Sequence, residues 1–135
     1  MIFRQYIAIL ILLFSLPLAA ISQESEEQLK EEAEALFEAE NYTDAFNKYS
    51  QLLSLQLQSP EYNYRFGACQ LFTSQDKEQS LKYLKFAVDS KDAPNLSHFY
   101  YGLGLHLNYR FEKAIKEYEK YQAGAGKKEK ENHSY

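Results

Sequence analysis

Bulky, small and polar positions alternate along this chain at helical spacing. In "NYTDAFNKYSQLL" the side chains of Tyr42, Ala45, Phe46, Tyr49 and Leu52 fall three or four residues apart or adjacent, with Asp44, Asn47, Lys48 and Gln51 between them. "NYRFEKAIKEYEKY" repeats the arrangement with Phe111, Ala114, Ile115, Tyr118 and Tyr121. Such a period marks one face of an α-helix. Carried along the chain, it predicts helices over 25–39, 42–55, 61–73, 77–90, 95–108 and 111–122. Asn41 and Asn95 stand at the joins, where their side chains suit turns or N-caps, and Pro60 and Pro94 add punctuation.

The pattern is periodic on a longer scale too. Ala45, Ser80 and Ala114 align with separations of 35 and 34 residues. Ala33 lies twelve residues before Ala45, Gly102 twelve before Ala114, and Gly67 thirteen before Ser80, where "TSQDKEQ" carries one extra loop residue. Two antiparallel helices whose axes approach closely accept only Gly, Ala or Ser at the crossing, while large residues one turn away fill the space alongside. Ala33, Ala45, Gly67, Ser80, Gly102 and Ala114 are therefore the expected helix crossings. The fold class predicted is all-α: a solenoid of three helical hairpins, with units of about 26–59, 60–94 and 95–124. Residues 125–135, "AGKKEKENHSY", read as a polar tail or the start of a capping helix. They offer almost no apolar face to cover Ile115, Tyr118 and Tyr121. That leaves two readings open: a poor cap, or the opening piece of a larger protein.

These units resemble the tetratricopeptide repeat family. The third copy, "YYGLGLHLNYRFEKAIKEY", supplies Tyr101-Gly102, Leu105, Phe111, Ala114 and Tyr118 of that family's pattern. The second has "YRFGACQLF" and then Ser80, Leu84, Ala87 and Pro94; the first has Leu29, Ala33, Leu36, Ala45, Tyr49 and a late Pro60. The family's tryptophan is missing, and the likeness spans about 26–122. It implies that the first helix of each unit lines a concave groove. Carried over, the groove positions run from charged (Glu27, Lys30, Glu34, Phe37, Glu38) to apolar (Leu96, Phe99, Leu103, His106, Leu107), through Glu61, Tyr64, Ala68, Leu71 and Phe72. The partner-binding set expected from this is Lys30, Phe37, Tyr64, Phe72, Phe99 and His106. The family's carboxylate clamp is not carried over: Lys30 matches one place, but Glu34 replaces an asparagine and Leu96 and Tyr100 replace basic residues.

Composition narrows the setting. The opening "MIFRQYIAILILLFSLPLAAIS" has one cation, Arg4, an apolar run and small residues at Ala20 and Ser22. It reads as a secretory signal over 1–22, cut before Gln23, with an uncleaved anchor as the alternative. Without it the formal charge moves from −4 to −5, because the segment holds one cation and no acid. That balance gives no electrostatic footprint for nucleic acid, nor for direct membrane binding after cleavage. The single cysteine, Cys69, makes no intrachain disulfide and is expected as a buried apolar residue.

No motif for nucleophilic, acid–base, metal or nucleotide chemistry emerges, so no enzyme activity, cofactor or metal is expected. His98 and His106 lie eight apart, not four, and no third ligand joins them. The acidic run "ESEEQLKEEAEALFEAE" reads as a solvated helix face with Lys30 in reach of Glu26 and Glu34. The stretches "EYNYRFGACQLF" and "YYGLGLHLNYRFEKAI", after an "AISQ" cleavage region, resemble the repeat arrays that precede OmpA-like domains in Bacteroidota cell-envelope proteins. That resemblance implies a periplasmic interaction scaffold, free or associated with the outer membrane, whose partner is a protein or peptide of the envelope. The alternative is a regulatory or substrate-presenting arm for an envelope enzyme or transporter encoded elsewhere.

Overall fold

The computed structural model describes residues 16–132, with side chains described over 25–127. Every regular element among the described residues is a helix: α1 (Leu16–Glu38), α2 (Tyr42–Leu55), α3 (Pro60–Thr73), α4 (Glu78–Asp89), α5 (Asn95–Leu107) and α6 (Phe111–Asn132). The four inner helices lie within a residue of their predicted bounds. The outer two are longer. α1 begins at Leu16 rather than 25, and α6 runs on to Asn132 rather than stopping at 122. Apolar periodicity ends at 122, but Ala, Lys and Glu sustain the helix past two glycines, since extension from a packed helix needs no new nucleus. Of the predicted signal, 1–15 lie outside the described residues, and the expected cut before Gln23 falls inside α1. Residues 133–135 of the predicted tail also lie outside them.

The joins show how local sequence sets the hairpins. Asn41 caps α2, its Oδ1 accepting from the Asp44 N–H, and Ser59 caps α3, with Pro60 in the first turn. Asn95 is no cap: Pro94 holds that place, and the Asn95 amide donates to the Tyr121 carbonyl at 3.0 Å, tying α5 to α6. The α1–α2 and α5–α6 turns are the same. Asn41 N–H donates to Leu36 O at 2.9 Å, and Arg110 N–H to Leu105 O at 2.8 Å. Each turn places a non-glycine residue in the left-handed region, Glu40 at φ 59° and Tyr109 at φ 60°. This helix-ending geometry normally takes glycine, and a side chain there costs about 1 kcal/mol.

Each helix packs on the next, and α3 also touches α5. Ala33, Ala45 and Ser80 are fully buried and Ala114 is nearly so. A Cβ on Gly67 would stand 2.8 Å from Leu84 Cγ and 3.2 Å from the Ser80 carbonyl. One on Gly102 would stand 2.7 Å from Tyr118 Cε1 and 3.3 Å from the Ala114 carbonyl. Small residue meets small residue in the second and third hairpins. A second tie joins α5 to α6: His98 Nδ1 lies 2.7 Å from Glu117 Oε2, and Lys120 reaches the other Glu117 oxygen at 2.6 Å.

The core is rich in phenols. Tyr49, Tyr62 and Tyr64 are buried, and so is Cys69, a free thiol. Desolvation raises all four ionisations: Tyr62 and Cys69 to about 12, Tyr49 and Tyr64 further. For a phenol raised in the fold, its stabilisation is intact below the unfolded value near 10 and is lost as pH rises toward the folded value. Each such group should remove about 1.4 kcal/mol per pH unit in that window. Melting temperature should therefore be flat to about pH 9 and fall steeply above pH 10. Phenolate absorbance rising near pH 10 for every tyrosine, in a chain still folded by circular dichroism, would contradict this.

Candidate concave site

The inner faces of α1, α3 and α5 converge on a hollow of about 290 Å³ lined by Phe37, Glu38, Glu40, Tyr42, Arg65, Leu96 and Tyr100. Its floor is aromatic. The Phe37 ring meets Tyr42, Tyr49 and Tyr100 edge-on at 5.5, 6.1 and 5.7 Å. The Arg65 guanidinium lies 5.0 Å from the Phe37 centroid, 5.5 Å from Tyr64 and 5.9 Å from Tyr49. Ring faces attract a cation that is partly withdrawn from water. Glu61, one turn earlier on α3, accepts from Arg65 Nε at 2.6 Å.

Charge in the groove is uneven. The one cation lining the hollow, Arg65, is already paired with Glu61, and Lys30, outside it, lies 3.9 Å from Glu34. Glu38 and Glu40 have no ion-pair partner among the described residues. Both are exposed at the edge of the hollow, and Glu40 is held there by the left-handed turn. Desolvation raises the Tyr42 and Tyr100 phenols, and the Glu40 charge raises both further. The hollow thus combines aromatic walls with a net negative rim. Those features favour a cationic side chain carried by an apolar segment.

Several expected groove residues lie elsewhere. Tyr64 is 2% exposed, enclosed between α3 and α5 with its ring stacked 6.0 Å from Tyr100. It cannot line an open groove, because α3 and α5 touch directly and the ring closes the gap between them. Phe37 is 6% exposed, so it forms the floor and offers little contact surface. Phe99 turns toward α6, 6.0 Å from Tyr118 and 5.5 Å from Tyr121. His106 is exposed at the α5–α6 turn, edge-on to Phe111 at 5.4 Å. Phe72 is exposed, stacked on Tyr42 at 4.1 Å beside the hollow, while Lys30 lies apart from it.

Arg65, Tyr100 and Glu40 are the residues the sequence reading passed over. Arg65 had a signal: it is the one charge between Tyr62 and Thr73, four residues after Glu61. His98 and His106 join no metal-binding group, and no cluster of three or more His, Cys, Asp or Glu side chains suited to a metal occurs among the described residues.

No family model matches the chain, and no curated protein matches it. Among solved structures it is similar to the crystal structure of MamA, with a TM-score of 0.62 and 20% sequence identity. The match covers 73% of this chain and 57% of that one, so this chain spans little more than half the length of MamA. At that identity the likeness is one of fold. The described residues form an all-helical, tetratricopeptide-like repeat solenoid.

Proposed function

We propose that the protein is a non-catalytic interaction scaffold of the bacterial cell envelope, which receives an extended partner segment in its concave groove. The observation that carries this reading is the hollow at Phe37, Tyr42, Arg65 and Tyr100 with the unpaired carboxylates of Glu38 and Glu40 at its rim. A helical-repeat fold supports protein binding, because its concave surface offers side chains from successive helices to one extended ligand. The rim selects a segment with Lys or Arg beside apolar residues. Export rests on the apolar leader with Ala20 and Ser22, and the envelope setting on the resemblance to repeat arrays of OmpA-like proteins.

Two measurements test this. Binding of a Lys-bearing apolar peptide should weaken at least ~10-fold in the Glu38→Lys/Glu40→Lys variant, and should weaken with salt in the wild type. Both positions are exposed, so the fold should survive. Equal capture of envelope proteins by variant and wild type would remove the groove from the reading. For the setting, amino-terminal sequencing of protein from a periplasmic extract should begin at Gln23. Recovery from the cytosol with Met1 intact would overturn it.

A further inference from the structure

We infer, resting on the groove reading above, that the concave hollow selects a lysine side chain of the partner over an arginine. The primary ammonium is held by the Glu40 carboxylate and the hydroxyls of Tyr42 and Tyr100.

An arginine draws its advantage from open ring faces and from paired oxygens lying side by side. In this hollow the ring faces are largely in use. Arg65 already lies 5.0 Å from the Phe37 centroid and also meets Tyr49 and Tyr64. Phe72 covers one face of Tyr42 at 4.1 Å, and Tyr64 covers one face of Tyr100 at 6.0 Å. A second guanidinium would compete with Arg65 for the same rings and meet its charge.

What the hollow leaves free is oxygen. The phenols of Tyr42 and Tyr100 both border the Phe37 ring, and neither hydroxyl has a hydrogen-bond partner among the described residues. Desolvation raises both phenols, Tyr100 to about 12, and the Glu40 charge adds to each. Both hydroxyls therefore stay neutral at physiological pH and feel the same carboxylate. A lysine ammonium carries three donors on one compact nitrogen, so it can serve three separate oxygens. Its methylene stem suits the apolar walls at Phe37 and Leu96. Glu40 reaches this place from a left-handed position, φ 59°, that glycine would take without cost.

The test titrates the full chain with peptides blocked at both ends, acetyl-Ala-Leu-Xaa-Leu-Ala-amide, where Xaa is Lys, Arg, trimethyl-Lys or norleucine. The Lys peptide should bind at least ~10-fold tighter than the other three, the scale of hydrogen bonds to a charged group. Tyr42→Phe/Tyr100→Phe keeps both rings and should erase the preference for Lys over Arg and trimethyl-Lys. Glu40→Gly should weaken the Lys peptide at least ~5-fold yet melt no lower than wild type, since glycine suits the turn. Three results would overturn the inference and leave the groove reading standing: equal affinity for Lys and Arg, tightest binding by trimethyl-Lys, or a preference unchanged in the double phenylalanine variant. The second would mark a cage of ring faces alone. Failure of all four peptides to bind, up to their solubility limits, would overturn the inference together with the groove reading.

Discussion

Gly67→Val should destabilise the protein by ~3 kcal/mol or more, the upper range for overpacking a filled interior. A first added carbon already lies 2.8 Å from Leu84 Cγ, and the Ser80 carbonyl stands 3.2 Å away. The carbonyl is fixed by the α4 backbone, and Leu84 is fully buried. A branched side chain has no free direction, so α3 and α4 must part. For a domain of this size the melting temperature should drop by roughly 10–20 °C. Gln122→Ala, at an exposed position on α6, should stay within about 0.5 kcal/mol of wild type. Comparable losses for both would show that Gly67 does not mark a crossing.

Leu84→Ala approaches the same contact from the opposite side and should cost about 3–4 kcal/mol. Leu84 is 0% exposed and is shared by two interfaces. Its Cγ faces Gly67 of α3, and its Cδ1 lies 3.3 Å from the place of a Cβ on Gly104 of α5. Removing it opens a cavity that neither rigid helix can collapse into. The two sites should couple. A methyl added by Gly67→Ala fills part of that cavity, so the Gly67→Ala/Leu84→Ala double variant should be more stable than the sum of the singles predicts by ~0.5 kcal/mol or more. Strict additivity, measured by urea unfolding, would mean that the two side chains do not share space.

The fold was readable because the constraint behind it is steric. Where two backbones nearly touch, the chain must use its smallest residues, and their 34–35 residue recurrence gives both the hairpins and their stacking order. The helix ends at Leu16 and Asn132 were not readable from the spacing of bulky and small side chains, which is regular only between about 25 and 122. The groove was readable only in part. Position rules point to Tyr64, but a ring at that place folds inward between α3 and α5, and the neighbouring Arg65 takes the open side. Glu40 reaches the rim through a left-handed turn that a glutamate does not announce. Gly104 shows the same limit, since nothing in "GLG" says that its two glycines face different helices, Gly102 toward Tyr118 and Gly104 toward Leu81.

The buried Cys69 has a consequence for biogenesis. In an oxidising compartment a thiolate is the species that enters mixed disulfides. Here the native state holds the sulfur away from solvent and its ionisation near 12, so almost none of the reactive form exists at neutral pH. On the proposed export route, a newly translocated chain, still open, presents an ordinary thiol to the oxidation machinery. Hairpin assembly withdraws it. Folding speed thereby sets how long the polypeptide is vulnerable to wrong cross-links, and a completed molecule needs no reductant to stay monomeric through sulfur.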